Sequence, residues 1–436
     1  MPRRIWLWAV LAPVIGGCRP SPDVVQVDSA SRPIEAPQTD SPTPASRGPL
    51  PDNDWPRWRG PAGNGISQRP LWSTSGAPIA PRVAWSRNVG VGYSSISVVS
   101  SRAYTMGYRD EQEHVVCLDA QTGEPQWTFS YPGNLVDNLH KGGPAATPTV
   151  DGVHVYTVGK EGQVHCLDAA NGNKIWAQHL QTLVQVPLPE WGFSASPVLL
   201  DDLILLDAGP VVALNKSTGE LVWSTEPHAA GYGSVEVMVH GGRQLLAVLN
   251  NDGVQVVRAV DGVTVAFHPW ETRFKTNSTT PLAVEDTLFI STGYQRGCTL
   301  LRLTDAGLTP VYENQEMSNH MNNCVLWEGH LYGFDGNSHH RRSVKLTCLN
   351  HQTGEVKWTN RGLGCGSLIV ADGKLVILSD EGELVIAEPN PARYVELAKV
   401  KVLEETCWTP PAVAGGAIFC RNDTGDVVRA EVPEAP

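Results

Sequence analysis

The sequence has no apolar run long enough to cross a bilayer as a helix, and no basic stretch after its first few residues. Charged residues are only 18% of the 436, and the formal net charge is −12. An acidic chain without basic clusters repels phosphate backbones, which argues against nucleic-acid binding. The patterns G-x-S-x-G and H-E-x-x-H are absent, as are a P-loop and a C-x-x-C pair. Motifs therefore indicate no serine hydrolase, zinc protease, nucleotide-binding loop or dithiol redox site.

The N-terminus has the pattern of an export signal. Two arginines precede an apolar run at residues 5–15, and Gly-Gly-Cys18 follows. A charged start, a short apolar segment and small residues before a cut are the layout of a secretory signal. Apolar–small–small–Cys also resembles the lipobox of bacterial lipoproteins, in which the cysteine is acylated. We therefore expect residues 1–18 to be a lipoprotein signal peptide that ends at a lipidated Cys18; the alternative is an ordinary signal peptide cut nearby.

Residues 19–54 are rich in Pro, Ser, Asp and Thr and poor in large apolar residues. Such a segment cannot bury enough apolar surface to fold, so it is predicted to be a disordered tether. Arg19 is not the Asp that retains lipoproteins at the inner membrane, which favours the periplasmic face of the outer membrane. Eight cysteines remain after Cys18; an oxidising compartment permits disulfides, but the even number does not require them.

One unit recurs from Val83 onward. Its most regular part is a β-patterned run, an Asp or Asn, a Thr-Gly or Asn-Gly pair, and a second run that ends in Trp. The clearest copies are residues 115–127 (VVCLDAQTGEPQW), 164–176 (VHCLDAANGNKIW), 211–223 (VVALNKSTGELVW) and 346–358 (LTCLNHQTGEVKW). The Asp or Asn can accept backbone N–H bonds across a turn, and Gly can take the positive φ that closes it, so each copy is predicted to be a hairpin. Two further strand patterns lie upstream of each hairpin, which makes four strands per unit.

The spacing of the unit identifies the architecture. The aromatic residues that close successive units are Trp85, Trp127, Trp176, Trp223, Phe267, Tyr312 and Trp358. A seventh unit follows, in which Leu397 or Ala398 stands at the aromatic position. Units of 40–50 residues with four strands are typical of propeller blades.

The two ends of the folded part complete each other. The last unit, residues 409–432, supplies three strands, whereas the first strand, residues 82–89, matches a fourth strand that lacks its first three. Joining them leaves no open sheet edge. Residues 55–436 are therefore predicted to form an all-β, eight-bladed β-propeller of four-stranded antiparallel blades, closed by pairing the N-terminal strand with the C-terminal blade.

These units resemble the PQQ-like β-propeller repeat, and the resemblance covers residues 55–432. It implies either of two functions. One is that of the outer-membrane assembly factor B lipoprotein family, which is eight-bladed, free of cofactor and binds partner proteins. The other, more distant, is that of the periplasmic quinoprotein dehydrogenases, which hold pyrroloquinoline quinone (PQQ) and Ca²⁺ in the ring. Residues 54–67, DWPRWRGPAGNGIS, look like the opening of a bacterial subgroup of PQQ-like repeat proteins.

The cysteines favour the first of these functions. The dehydrogenases resemble one another in an adjacent Cys-Cys pair beside the cofactor, and no two cysteines are adjacent here. Cys117, Cys166 and Cys348 occupy the repeat position at which Ala213 stands in the third unit, which indicates a small, buried packing position. We therefore expect a monomeric propeller without catalytic residues, cofactor or metal. It would act as a protein-interaction or envelope-assembly scaffold, with envelope proteins as partners and membrane contact through the lipid alone. The alternative is a PQQ-dependent oxidoreductase with Ca²⁺, or a small-ligand binder at the channel mouth.

In a propeller, the loop before each innermost strand lines one mouth of the central channel. These loops gather aromatic and polar side chains suited to a ligand; the candidate residues are Trp191, Lys275, Asn277, His320, Asn322 and Trp408. The competing interpretation is that polar groups here satisfy strand ends and ordered channel water. His339 and His340 could hold a metal, but they are interpreted as part of a solvated loop. The tryptophans that close the units are predicted to pack between blades, each with its N–H bonded to a neighbouring carbonyl.

Overall fold

The recurring Asp/Asn–Thr–Gly segment forms the turn between the third and fourth strands of a blade. In the first blade, Asp119 Oδ1 accepts the backbone N–H groups of Gln121 (3.0 Å) and Thr122 (2.8 Å), and Gly123 has φ +72°. Asn350 makes the same two bonds in the sixth blade, each 3.0 Å long. The side-chain oxygen holds the turn and glycine closes it, as the sequence predicts.

The computed structural model describes residues 54–72 and 79–432. The predicted signal peptide, Cys18 and the predicted tether up to residue 53 lie outside this range. The described residues form 33 strands, one helical turn, α1 (Leu180–Leu183), and a 3₁₀ segment (Ser338–Ser343). None of the helices described is long and apolar enough for a membrane span.

Each blade is an antiparallel sheet in which the first strand is innermost and the fourth outermost. The strands of blade 1 are β3 (Ser97–Val99), β4 (Arg102–Arg109), β5 (Gln112–Asp119) and β6 (Pro125–Pro132). Those of blade 2 are β7 (Thr149–Val150), β8 (His154–Val158), β9 (Gln163–Asp168) and β10 (Lys174–His179). Those of blade 3 are β11 (Val198–Leu200), β12 (Leu203–Asp207), β13 (Val211–Asn215) and β14 (Leu221–Ser224). Those of blade 4 are β15 (Glu236–His240), β16 (Arg243–Leu249), β17 (Gly253–Arg258) and β18 (Thr264–Pro269).

The remaining blades follow in chain order. Blade 5 consists of β19 (Leu282–Val284), β20 (Thr287–Thr292), β21 (Gly297–Thr304) and β22 (Gly307–Asn314). Blade 6 consists of β23 (Val325–Trp327), β24 (His330–Asp335), β25 (Lys345–Asn350) and β26 (Val356–Asn360). Blade 7 consists of β27 (Ser367–Ala371), β28 (Lys374–Leu378), β29 (Glu383–Glu388) and β30 (Val395–Lys401). Blade 8 consists of β31 (Ala412–Ala414), β32 (Ala417–Arg421), β33 (Asp426–Glu431) and, from the other end of the chain, β2 (Arg82–Asn88).

The ring closes as the strand count predicts. Strand β2 pairs antiparallel with β33, and Trp85 lies opposite Arg429. The residues after it continue the ladder, with Ser86 opposite Val428. The prediction of an eight-bladed propeller sealed by the N-terminal strand is therefore confirmed.

Most of the closing tryptophans join one blade to the next. Trp85 of blade 8 donates its Nε1–H to the Ala120 carbonyl beside blade 1 (3.2 Å), and Trp127 of blade 1 donates to the Ala169 carbonyl beside blade 2 (3.1 Å). Trp176 and Trp358 make equivalent bonds. The prediction is wrong at Trp223, whose buried Nε1 has no partner within the described part of the chain.

Two units depart from the pattern. The prediction that Phe267 closes blade 4 is wrong: Ala266 lies opposite Val256 at the position that the tryptophan takes in blades 1 to 3, whereas Phe267 is the next residue and is 38% exposed. In blade 7, Ala398 lies opposite Ile386 at the position that an aromatic ring takes elsewhere, which decides between the two residues that the sequence left open.

The apolar core consists of layers between consecutive blades. Each hydrophobic cluster combines residues of neighbouring blades, such as blades 1 and 2 or blades 6 and 7. Cys117 lies opposite Trp127, and Cys166 opposite Trp176, in these layers. The eight cysteines of the described range are all buried and unpaired, which confirms Cys117, Cys166 and Cys348 as packing residues.

The segment before the first blade strand lies inside the ring, and we call residues 54–67 the plug. The backbone N–H of Trp55 donates to the Val98 carbonyl of the innermost strand of blade 1 (2.8 Å). At its other end, strand β1 (Ile66–Ser67) pairs in parallel with β27, the innermost strand of blade 7. Between them, Arg59 Nη2 donates to the Cys324 carbonyl beside blade 6 (3.1 Å). The plug therefore spans the channel, a role that its sequence did not indicate.

Candidate functional site

A cavity of about 1140 Å³, including the solvent at its opening, lies at the mouth of the channel. The loops before blades 1–6 and before blade 8 line it, as predicted. Trp58 of the plug also lines it, and Trp58 contacts a second, smaller cavity beside the plug. The cavity is therefore a well, with the plug at its inner end.

Four of the six predicted site residues meet in this well: Trp191, His320, Asn322 and Trp408 all line it. Trp408 is stacked on Tyr93, with ring centroids 5.7 Å apart and planes at 19°. Trp191 meets Tyr232 edge-on, with centroids 5.7 Å apart. Both tryptophans therefore present ring surface to the well and are held by a second ring.

The structure does not bring Lys275 or Asn277 into the lining. Lys275 is exposed on its loop. Asn277 is fully buried, and its amide donates to the carbonyls of Asn250 (2.8 Å) and Trp270 (2.7 Å). Asn277 therefore fixes the loop before blade 5, in agreement with the interpretation that polar mouth residues satisfy backbone groups.

Much of the remaining polarity at the mouth is also structural. Backbone N–H groups of one blade donate to a side-chain oxygen of the next, and we call this series the polar belt. Its bonds run from Ser95 to Thr147 (3.2 Å), Thr147 to Ser196 (2.9 Å), Ser196 to Ser234 (2.9 Å), Ser234 to Thr280 (3.0 Å) and Thr280 to Asn323 (3.3 Å). The belt ties blades 1 to 6 together around the channel, so these hydroxyl groups already have partners.

Two of the histidines that line the well, His320 and His140, are neutral at pH 7. Burial lowers the pKa of His320 to about 4, and its Nδ1 accepts the Ser338 N–H (3.3 Å). Burial also lowers the pKa of His140 to about 4, and the nearby Lys160 charge adds to the effect. Positive charge in the well therefore does not come from these two rings.

Lys160 is a lining residue that sequence reasoning missed, as are Tyr294 and His339. All three lie in connections between the second and third strands of their blades. In an antiparallel blade these connections lie at the same end as the loops between blades, so they reach the same mouth. The position of these connections follows from the strand order alone, so the sequence carries this signal as well. His339 and His340 are both exposed, but only His339 lines the well.

The donor set of the well does not fit Ca²⁺. Calcium takes six to eight oxygen ligands, usually including carboxylates. Of the residues described, those that line the well include no Asp or Glu. Residues 54–72 and 79–432 also contain no cluster of three His, Cys, Asp or Glu side chains that could hold a metal.

A buried carboxyl behind the wall should make stability depend on pH. Asp207 accepts the N–H groups of Gly209 (2.9 Å) and Gly231 (3.2 Å), and burial raises its pKa to about 7. The folded state therefore holds this proton more tightly than the unfolded chain does. The stabilisation that the protonated Asp207 gives the folded state is fully present below pH 4. As pH rises towards 7 the proton is lost, and the free energy of unfolding falls by up to about 4 kcal/mol.

The variant Asp207→Asn mimics the protonated side chain and should lose this pH dependence. Urea unfolding at pH 4, 6 and 8 should show a flatter profile for the variant and greater stability than the wild type at pH 8. Asp286→Asn, an exposed change on blade 5, is the matched control and should leave the slope unchanged. Parallel profiles for Asp207→Asn and the wild type would contradict the assignment.

Comparison with known proteins agrees with this architecture. The family profile described as "Outer membrane protein assembly factor BamB" matches residues 111–360, more than half of the chain. The chain belongs to this family. A curated relative, the outer membrane protein assembly factor BamB of Burkholderia pseudomallei (strain K96243), is 27% identical over 117 residues, which are 26% of this chain. The match spans only 28% of the length of that relative.

Two solved structures share the propeller fold. The crystal structure of BamB from Moraxella catarrhalis matches with a TM-score of 0.60 and 14% identity, over 82% of this chain and 99% of that one. Quinohemoprotein alcohol dehydrogenase from Comamonas testosteroni matches with a TM-score of 0.67 and 11% identity, over 88% of this chain and 81% of that one. At these identities the likeness concerns the fold alone.

Proposed function

We propose that this chain is a non-catalytic, lipid-anchored scaffold on the periplasmic face of the outer membrane, where it binds other envelope proteins. The observation that carries the proposal is the match of residues 111–360 to a family described by outer membrane protein assembly. Cys18 is the proposed lipid attachment point, on the strength of the Ile-Gly-Gly-Cys sequence. Mass spectrometry of the mature N-terminus checks this part of the proposal, and an unmodified Cys18 would contradict it.

The outer edge of the propeller offers a surface for protein partners. The fourth strands of blades 2 to 5, which we call the outer rim, each expose an aliphatic side chain: Ile175, Val222, Val265 and Val311. Each of these strands is the last of its sheet, so one side of its backbone has no strand partner among the residues that the structure describes. A partner strand can add to such an edge by backbone hydrogen bonds, and exposed aliphatic groups add apolar contact.

Site-specific photocrosslinking in cells tests the scaffold proposal. A photoreactive residue at Val222 or Val265 should crosslink to envelope proteins, since both positions lie on the outer rim. Lys399, exposed on the fourth strand of blade 7, is the matched control and should give no such product. The double variant Val222→Lys/Val265→Lys should lose the crosslinks from neighbouring rim positions. If no rim position crosslinks to a protein, the scaffold proposal fails.

Pyrroloquinoline quinone tests the non-catalytic part of the proposal. The donor set of the well does not fit Ca²⁺, and the likeness to quinohemoprotein alcohol dehydrogenase concerns the fold alone. Purified protein titrated with the quinone should therefore show no Ca²⁺-dependent change in absorbance or Tm. A ligand that binds only the native state raises stability, so a Ca²⁺-dependent rise in Tm would favour the oxidoreductase alternative.

A further inference from the structure

Lys160 is held rigidly at the wall of the well. It lies in the turn between β8 and β9 of blade 2 and is only 1% exposed. Its backbone N–H donates to Glu113 Oε1 (2.8 Å), and its carbonyl accepts the N–H of Phe193 (2.8 Å). Its aliphatic stem packs on Gly192, where a Cβ atom would come within 2.8 Å of the Lys160 Cγ. Packing therefore fixes where the ammonium group can be.

The ammonium group of Lys160 is unpaired within the described part of the chain. Throughout the described ranges, no hydrogen-bond acceptor or ion-pair carboxylate contacts its Nζ. Glu113 is the opposing charge that acts on Lys160, but its carboxylate already accepts the Tyr131 hydroxyl (2.6 Å) and the Lys160 backbone N–H. Buried ammonium groups are normally paired, because their desolvation is costly. An ammonium group that lines a cavity without a partner among the described residues is a group with which a bound anion can pair.

The other residues that line the well indicate the chemical class of the ligand. Trp58, Trp191 and Trp408 present indole rings, and Tyr232 and Tyr294 add phenol rings. The hydroxyl groups at the mouth are largely engaged in the polar belt, and no carboxylate of the described residues lines the well. One fixed cation surrounded by aromatic faces suits a ligand with one negative charge and a flat apolar body.

We propose that the well binds a small aromatic monocarboxylate, whose carboxylate pairs with Lys160 and whose rings lie against Trp191 and Trp408. The well, about 1140 Å³ including the solvent at its opening, has room for one or two fused rings. This inference does not depend on the scaffold role, which concerns the outer rim.

Calorimetric titration of the full-length protein with 2-naphthoate tests the inference. The wild type should bind the acid, and the neutral analogue 2-naphthamide should bind much more weakly, because it cannot pair with the ammonium group. Lys160→Met keeps a similar volume without the charge and should weaken 2-naphthoate binding by about 30-fold or more. Binding of 2-naphthamide should be the same in both proteins.

Two further measurements use other properties of the same site. Trp408→Leu should weaken the acid and the amide alike, because both stack on the indole. Burial lowers the pKa of Lys160 to about 8, although the charge of Glu113 acts in the opposite direction. The ammonium group therefore loses its charge above pH 8, and the affinity of the wild type for 2-naphthoate should fall there. His140, the other titratable group facing Lys160, stays neutral over this range.

The inference has clear contrary results. Equal affinity of the wild type for the acid and the amide would overturn it, without reliance on any variant. Undiminished 2-naphthoate binding by Lys160→Met would do the same, as would an absence of 2-naphthoate binding to the wild type.

Discussion

Replacement of Arg421 by Met should lower the free energy of unfolding by about 3–5 kcal/mol, because it leaves several buried hydrogen-bond acceptors without a donor, at about 1–3 kcal/mol each. Arg421 is fully buried in strand β32 of blade 8. Its guanidinium donates to the carbonyls of Gly90 (2.9 Å), Ser94 (3.0 Å) and Met106, and to the Thr105 hydroxyl (2.8 Å). These acceptors belong to blade 1 or to the segment that enters it. Methionine would leave the buried carbonyls without donors at the seam where the ring closes.

Unfolding by guanidinium chloride, followed by tryptophan fluorescence, measures this loss of stability. Arg87→Ala is the matched control, because Arg87 also joins blade 8 to blade 1, through Gly123 and Glu124, but at the exposed surface. Exposed ion pairs contribute about 1 kcal/mol at most, so this variant should unfold close to the wild type. Arg421→Lys should fall between the two, since one ammonium cannot reach all the acceptors of a guanidinium. Equal stability of Arg421→Met and Arg87→Ala would refute the role of the buried guanidinium.

Trp85→Ala should have an effect of similar size, about 3–5 kcal/mol, because it empties a large site in a packed core. Trp85 is 8% exposed, meets Phe419 edge-on at 6.0 Å, and covers Gly123 of the next blade so closely that a Cβ there would lie 2.7 Å from its ring. The Trp85→Ala variant also loses the hydrogen bond from the indole N–H to the Ala120 carbonyl. The midpoint of chemical unfolding, compared with the wild type, measures the loss.

Phe267→Ala is the control for Trp85→Ala, since Phe267 is also a ring on the fourth strand of its blade but lies one residue past the repeat position, which Ala266 takes in blade 4. This ring is 38% exposed and stacks mainly on His228, with centroids 5.3 Å apart. Its removal should cost less than about 1.5 kcal/mol, because it leaves little cavity. If the two variants lost equal stability, the tryptophan contacts between blades would not be what stabilises the seam.

The repeat made most of the fold predictable. A hairpin turn such as residues 119–123 depends on neighbouring residues alone, so its Asp and Gly can be recognised from the sequence. The closure of the ring followed from counting strands, since the strand at Trp85 had no other partner. The plug was not predictable in this way. Its residues occur once in the chain, and their structure depends on innermost strands far away in sequence, such as β3 and β27.

The site was predictable only in part, for a related reason. The mouth loops could be located from topology, but orientation within a loop depends on local backbone geometry. Lys275 has φ +51° and its side chain lies outside the well, while Asn277 turns inward to bond the backbone. Lys160 lies in a short turn whose sequence, Gly-Lys-Glu-Gly, resembles any solvent-exposed hairpin. Only the packed structure shows that the turn lies beneath Gly192 and Phe193 and that its lysine is buried.

The shared composition of blade 8 has a consequence for the order of folding. Blades 1 to 7 each gather four strands that are close in sequence, so they can form as the chain emerges. Strand β2 is made before all of them, yet its partner β33 is made last. Bringing the two together closes the largest loop in the domain, at an entropic cost that local hairpins do not bear. The first strand of the ring to be synthesised is thus the last to find its neighbour, and a chain cut short before β33 leaves it unpaired.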